Sequence, residues 1–316
     1  MKILFIDTVH SVLETRLIKM GFQCDIGIDL NRQEILLKIG NYQGLVLRSK
    51  TPIDIEFFEA AKQLKFIARS GAGLENIDLL EAEKRKIQLF SAPEGNRQAL
   101  GEHALSMILN LFNKISIADK EIREGKWNRE SNRGIELSGK TIGIIGYGNM
   151  GKSFAKCLSG FDCNVLAYDK HKKNISDDYV TESSLENIQN NAVIISFHTT
   201  YNKSTHNYLN EEFIQNMRKE FYLINTSRGK VVKIEALSKG LKTGKILGAC
   251  LDVLEFEKTS FEDMFDHEVP NKLKELLEFK NILLSPHVGG WTIESYEKLS
   301  LVLAKKIELK FGSELM

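Results

Sequence analysis

The sequence predicts an α/β protein built on parallel sheets, and three observations predict it. Short apolar runs rich in Val, Ile and Phe alternate with amphipathic segments almost from end to end, the pattern of parallel strands covered by helices. The 316 residues are about twice an ordinary domain, so two domains with a sizeable core are expected. A G-x-G-x-x-G motif directly follows one of the runs.

In chain order the first strands are KILFID, GLVLRS, KFIARS and IQLFSAP. A segment from about Gln98 to Trp127 then carries Leu105, Ile108, Leu109, Phe112 and Ile115 at helical spacing, which predicts one long helix that also connects the domains. The polar, glycine-punctuated stretch REGKWNRESNRGIELSGKT is a loop. A second group of strands follows: TIGIIG, NVLAYD, VIISFH, FYLINTS, GACLDV and NILLSP. After Trp291 the apolar positions Leu299, Val302, Leu303, Ile307 and Leu309 predict a terminal helix that returns to the first domain. No repeat or low-complexity segment interrupts this order.

Composition excludes several classes. With 42% hydrophobic and 27% charged residues the chain is neither disordered nor fibrous. Lys plus Arg number 43 against 42 Asp plus Glu, so no global field favours nucleic acid or an anionic membrane as partner. Cys24, Cys157, Cys163 and Cys250 show no C-x-x-C spacing, which reads as buried reduced thiols and gives no metal site. The apolar run before Asp7 is only four residues, too short for a signal peptide, and no stretch approaches the ~18 residues of a membrane span. A cytoplasmic protein is expected.

The glycine motif gains its meaning from context. In TIGIIGYGNMGKSFAKCL, Gly146 permits a tight turn, Gly148 lets backbone approach a pyrophosphate, and Gly151 allows close packing of helix on strand. The phosphates would sit on the N–H groups of the helix beginning near Asn149. The next strand ends in Asp169, eighteen residues beyond Gly151, whose carboxylate can accept a ribose 2′-hydroxyl and repel a 2′-phosphate. NAD is therefore expected over NADP, with Lys170, His171, Lys172 and Lys173 opposing that preference.

Three further residues stand just beyond strand ends: Arg228 after FYLINTS, Glu257 after GACLDV, and His287 after NILLSP. Ligands of open α/β sheets bind outside the carboxyl ends of strands, where these side chains can converge. An arginine holds a carboxylate bidentately, and an imidazolium is the natural donor to the alkoxide that hydride transfer creates. Each also has a plainer role available: a capping arginine, a glutamate in a charged stretch beside Glu255, a histidine satisfying a turn after Pro286.

With these motifs placed, the chain resembles the family of D-isomer-specific 2-hydroxyacid dehydrogenases, in its phosphoglycerate dehydrogenase-like branch. GAGLENIDLLEAEKRKIQLFSAPEGN, GEHALSMIL, LSGKTIGIIGYGNMG, INTSRGKVV, GKILGACLDVLEFE and NILLSPHVGG occur in the family's order and spacing over nearly the whole chain. The resemblance implies two doubly wound parallel-sheet domains. A flavodoxin-like substrate domain of residues 1–98 plus 291–316 would carry an inserted Rossmann-type NAD-binding domain of residues 99–290. It also implies interconversion of a small D-2-hydroxy acid and its 2-oxo acid by hydride transfer. Arg228 would bind the substrate carboxylate and carbonyl, His287 would be the acid/base, and Glu257 would orient it.

Cofactor contacts implied by the same resemblance fall on Gly146, Gly148, Asn149, Met150, Gly151, Asp169, His198, Thr199, Thr226, Ser227 and Arg228. Asp252, His287 and Gly290 would lie near the nicotinamide. Substrate contacts fall on Arg48 and Ser49 in LRSKT and on the loop from Ser70 to Leu74, including Gly71, Ala72 and Gly73, whose N–H groups would grip the carboxylate. The long helix resembles the family's dimer-forming region and implies a homodimer.

The chain departs from the family pattern at Lys258, where proline commonly follows the catalytic glutamate, and at Thr200 and Arg97. Glu255 therefore rivals Glu257, although the five-residue step from Asp252 favours the latter. Glyoxylate, hydroxypyruvate and 3-phosphoglycerate are candidate substrates, the last because Arg48, Lys50 and Arg97 can supply a phosphate pocket. A dinucleotide-sensing corepressor-type protein is the alternative that this fold also hosts. Trp291 is either a cap over the site or an anchor for the terminal helix.

Overall fold

The computed structural model describes residues 1–257 and 270–312. The departure at Lys258 lies outside the described residues. Two compact units divide the chain: Met1–Arg97 with residues 291–312, and Gln98–Glu257 with residues 270–290.

The first unit runs β1 (Lys2–Phe5), α1 (Val12–Lys19), β2 (Gln23–Ile26), α2 (Arg32–Ile39), β3 (Gly44–Leu47), α3 (Ile55–Ala60), β4 (Phe66–Arg69), α4 (Leu79–Lys84) and β5 (Gln88–Phe90). Its sheet has the order β2-β1-β3-β4-β5 and is parallel throughout, the flavodoxin-like arrangement. Alternate residues serve opposite faces of the sheet. Ile3, Phe5, Val46 and Phe66 pack with Leu299, Leu303, Ile307 and Phe311 of the C-terminal helix (Ile293–Phe311), while Leu4, Leu45, Leu47 and Ile67 pack with Ile35, Ile39, Phe57 and Phe58. The C-terminal helix starts at a capping box in which Thr292 and Ser295 satisfy each other's N–H groups.

The helix α5 (Pro93–Asn113) begins in the first unit and continues into the second, where α6 (Ile115–Arg123) precedes β6 (Thr141–Ile145), α7 (Asn149–Leu158), β7 (Asn164–Tyr168), β8 (Thr181–Glu182), α8 (Leu185–Asn191) and β9 (Ile194–Phe197). Then follow α9 (Glu211–Asn216), β10 (Phe221–Asn225), α10 (Ile234–Lys242), β11 (Ile246–Leu251), α11 (Asn271–Leu277) and β12 (Ile282–Leu284). These strands are also parallel, in the order β12-β11-β10-β9-β6-β7-β8. The winding reverses between β6 and β9, which makes that crevice the switch point where a doubly wound sheet takes its ligand.

Two features differ from the sequence expectation. The single long helix is two, because Lys114 adopts a left-handed backbone (φ 53°) between α5 and α6. Polar side chains stabilise the break: Asn110 accepts from the Ser116 N–H at 2.9 Å, and Lys114 Nζ donates to the Ser131 carbonyl. The edge strands β2 and β8 were not among the predicted runs, since neither contains a buried residue.

Candidate active site

The carboxyl ends of six neighbouring strands of the second sheet carry the predicted residues in lateral order. Asp169 follows β7, the glycine turn follows β6, and His198 and Thr199 follow β9. Thr226, Ser227 and Arg228 follow β10, Asp252 and Glu257 follow β11, and His287 and Gly290 follow β12. From β7 to β11 is four strand spacings, roughly 19 Å, a length that suits an extended dinucleotide laid across the strand ends.

At the switch point Gly146 has φ +94°, and a Cβ there would lie 2.6 Å from the His198 carbonyl oxygen. Only glycine permits both the turn and the approach. Gly151 is pressed just as closely on Gly146, whereas nothing lies within 4 Å of the Cβ position of Gly148. Gly148 is the N-cap of α7 and provides no side-chain cap, so the first N–H groups of the helix, at Asn149, Met150 and Gly151, are available to an anion.

Asp169 accepts from the N–H groups of Tyr147, His171 and Lys172 at 2.9, 2.9 and 3.0 Å. Burial opposes its ionisation, but these N–H groups and the Lys172 charge prevail and hold the carboxyl below the usual carboxylate range. The carboxylate thereby ties the second strand to the glycine turn. Beyond the strands, the hydroxyls of Thr199 and Thr226 are buried with no hydrogen-bond partner. An uncapped helix, an open glycine position and two orphaned hydroxyls along one row of strand ends fit a dinucleotide with polar atoms along its length.

His198 is turned inward. Its Nε2 lies 2.8 Å from Ser196 Oγ, and burial pushes the imidazole down to about 3, so the ring is neutral. Its backbone, beside Gly146, is what reaches the switch point.

The His287–Glu257 pair is formed. Nδ1 of His287 lies 2.7 Å from Oε2 of Glu257 in a partly exposed setting. Because a carboxylate only accepts, Nδ1 carries the hydrogen of this contact. Glu257 Oε1 also accepts from the Leu254 N–H. Glu255 instead accepts from the Ile234 N–H at 3.1 Å, at the start of α10, so the rival carboxylate caps a helix. The backbone just after Arg228 is pressed on the loop that carries Glu257: a Cβ on Gly229 would lie 1.8 Å from the Leu254 carbonyl oxygen. Asn225 shapes that turn, accepting from Ser227 and donating to the Arg228 carbonyl at 3.1 Å.

In the first unit Asp7 accepts the N–H groups of Arg48, Ser49 and Lys50, which curls the segment after β3. The Arg48 guanidinium stacks 4.1 Å over the Trp291 ring and has no hydrogen-bond acceptor among the described residues. Trp291 in turn meets Tyr296 edge-on, so it is anchored on the C-terminal helix. Lys50 Nζ turns to the Ile28 carbonyl. In the loop after β4 the backbone N–H groups fall into two kinds. Ser70 and Gly71 spend their N–H groups on Leu47 and Arg69, because the chain is still closing the strand end there. Those of Ala72 and Gly73 have no acceptor among the described residues and can serve an anion.

Sequence reasoning missed Arg69 and His103. Arg69 is buried, donates to the Arg48 carbonyl at 3.0 Å and lies against Gly71, bracing both loops. His103, on α5, reaches Ser285 and Asp252. The available signals were an arginine closing an apolar strand and a lone histidine on an apolar helix. A cavity of about 730 Å³ lined by Lys140, Arg218 and Tyr222 lies at the opposite, amino ends of these strands and has no part in this site.

This sheet order, glycine turn and row of polar strand ends define a dinucleotide-binding domain. The chain belongs to the D-isomer-specific 2-hydroxyacid dehydrogenases, a family of NAD-dependent oxidoreductases: residues 105–289 match the family's NAD binding domain. It is 31% identical over 309 residues to D-3-phosphoglycerate dehydrogenase of Archaeoglobus fulgidus, covering 97% of this chain and 56% of the relative. It is 33% identical over 285 residues to hydroxypyruvate reductase of Thermotoga maritima, covering 90% and 89%. Among solved structures, D-lactate dehydrogenase from Aquifex aeolicus, complexed with NAD and lactic acid, aligns with a TM-score of 0.83 at 25% identity over 100% of this chain and 97% of that one. The chain thus spans just over half of the Archaeoglobus relative and most of the Thermotoga one.

Proposed function

We propose that the chain interconverts a small D-2-hydroxy acid and its 2-oxo acid, with His287 as acid/base, Glu257 as its orienting partner and Arg228 as the ligand of the substrate carboxylate and carbonyl. The observation that carries this reading is the 2.7 Å His287–Glu257 contact on strand ends that continue the dinucleotide-binding row. NADH, when bound, supplies the hydride that the carbonyl carbon receives. In that direction Nε2 of His287 gives its proton to the carbonyl oxygen and leaves a neutral ring whose Nδ1–H remains on Glu257. Arg228 polarises the same oxygen and fixes the carboxylate in its fork.

Glyoxylate, hydroxypyruvate and 3-phosphohydroxypyruvate are the proposed oxo acids. The open guanidinium of Arg48, held face-on by Trp291, supports an anionic or hydroxylated C3 tail. The testing experiment is NADH oxidation over these three and longer 2-oxo acids; turnover is expected with at least one of the short acids. Tight NADH binding with no turnover on any of them would sink the enzyme reading and favour the corepressor-type alternative.

We propose further that the chain is a cytoplasmic homodimer. Exposed Ile115, Ile117, Ile122 and Trp127 on and beside α6 support a second copy as their cover, and the four unpaired cysteines support a reducing compartment. Sedimentation should give twice the chain mass, and a monomer at micromolar concentration would overturn the dimer. No described helix is long and apolar enough to cross a membrane.

A further inference from the structure

A cluster of polar side chains, Asp252 with Ser285 and His103, stands behind the loop that carries His287. Asp252, 2% exposed, accepts Ser285 Oγ at 2.6 Å and the N–H of Val288 at 2.9 Å on Oδ1, and the N–H of Gly289 at 2.8 Å on Oδ2. Its carbonyl accepts the His287 N–H at 2.8 Å. One residue therefore grips three consecutive amides of the loop that carries His287. The grip has work to do, because His287 sits in the left-handed region at φ 54°, a conformation costing a β-carbon residue about 1–2 kcal/mol.

His103 completes the cluster from α5. Its Nε2 lies 2.9 Å from Ser285 Oγ and 3.3 Å from Asp252 Oδ1. Ser285 spends its single hydrogen on Asp252, so the contact requires Nε2 of His103 to be the donor. Burial alone would raise the Asp252 carboxyl; the bonds from His103, Ser285 and Gly289 prevail and hold it below the usual carboxylate range, so the grip acts as an anion. The loop is shaped around the pair: a Cβ on Gly289 would lie 2.8 Å from Asp252 Oδ2 and 3.2 Å from His103 Cδ2.

We propose that His103 is a positioning residue for proton transfer: its Nε2–H locks Ser285 onto Asp252, and Asp252 holds the His287 backbone in the turn that directs Nδ1 to Glu257. The proposal rests on His287 being the acid/base. Losing the lock frees the Ser285 hydroxyl and loosens the loop, and a displacement near 1 Å at a reacting group costs up to about 10²-fold in rate.

The test is His103→Phe, which keeps ring volume without the donor, beside His103→Gln, whose Nε2–H stands the same number of bonds from Cβ. NADH affinity is read by fluorescence, kcat per NADH-binding site and KM for the oxo acid by steady-state kinetics, and the His287 ring by its nitrogen-15 shifts. His103→Phe is expected to lower kcat roughly 10–100-fold, with KM and NADH affinity within about threefold and the His287 shifts moved. His103→Gln should restore kcat to within about threefold of the parent and return the shifts. A Phe variant that binds NADH and keeps the parent kcat, or a Gln variant as slow as Phe, overturns the proposal. If the Phe variant fails to fold, His103→Asn, too short to reach Ser285, takes its place with the same expected loss, and parental kcat there is fatal. His287→Ala separates the two readings: full turnover in that variant removes the acid/base role itself, whereas its loss beside an unaffected His103→Phe removes only the positioning role.

Discussion

The inward histidine at the switch point makes the protein acid-sensitive in a way that one substitution should erase. His198 has an unfolded reference of 6.5 and is pushed down to about 3 in the fold by burial. The folded value is depressed, so between these limits the unfolded chain binds a proton that the native ring refuses. Stability is then full above the unfolded value and falls as pH drops through it, levelling only near the folded value. Each pH unit below 6.5 costs about 1.4 kcal/mol, so moving from about pH 7 to about pH 4.5 removes roughly 2–3 kcal/mol through this group alone. For a unit of this size that corresponds to roughly 5–10 °C in Tm. The assay is thermal unfolding of the parent and His198→Gln across that range, followed on the transition that NADH displaces. Glutamine keeps a polar partner for Ser196, and the carboxylates titrate alike in both proteins and cancel in the difference. The Tm gap between variant and parent should move in the variant's favour by several degrees at the acid end. Parallel curves would refute the reasoning, since the native ring would then be taking up the proton.

Three further outcomes are expected. His287→Ala should cost about 10²–10⁴-fold in turnover with NADH affinity retained, measured by steady-state kinetics and fluorescence titration; parental turnover would remove the acid/base assignment. Asp169→Ala should weaken NADH relative to NADPH, read as the ratio of their dissociation constants, and an unchanged ratio would end the ribose reading. Gly229→Ala drives a Cβ into the Leu254 carbonyl, so it should destabilise by roughly 1–3 kcal/mol and lower kcat by disturbing Arg228 and Glu257 together. A crystal structure of that variant with both side chains undisturbed would contradict this.

The interior strands were legible because burial on both faces of a parallel sheet favours near-continuous apolar runs, as in the fully buried GLVL, FIAR and IISF, whose polar members Arg69 and Ser196 are hydrogen-bonded. Edge strands have no such need. QCDI of β2 buries nothing, and β8 is two residues long, so neither leaves a periodic signal. The break at Lys114 was hidden for a related reason: the helical spacing continues through it, and what ends α5 is a set of side-chain hydrogen bonds to residues of the next helix and the following loop.

By itself the sequence determined ten of the described strands, the glycine turn with Asp169, and the residue types that stand at strand ends, because these depend on local pattern and on the chemistry of single side chains. Only the tertiary structure puts Glu257, and not Glu255, against His287, since two residues in one loop can face opposite ways: Glu255 meets the Ile234 amide of α10 and Glu257 meets His287. It also turned His198 inward and brought His103 to Ser285 across 182 residues of chain. Neighbours in a doubly wound sheet are set by crossover connections, so separation along the chain carries no record of which strand ends lie side by side. The histidine of SPHVGG shows both halves: its place at a strand end was written in the sequence, while its left-handed turn and its partners exist only in the folded protein.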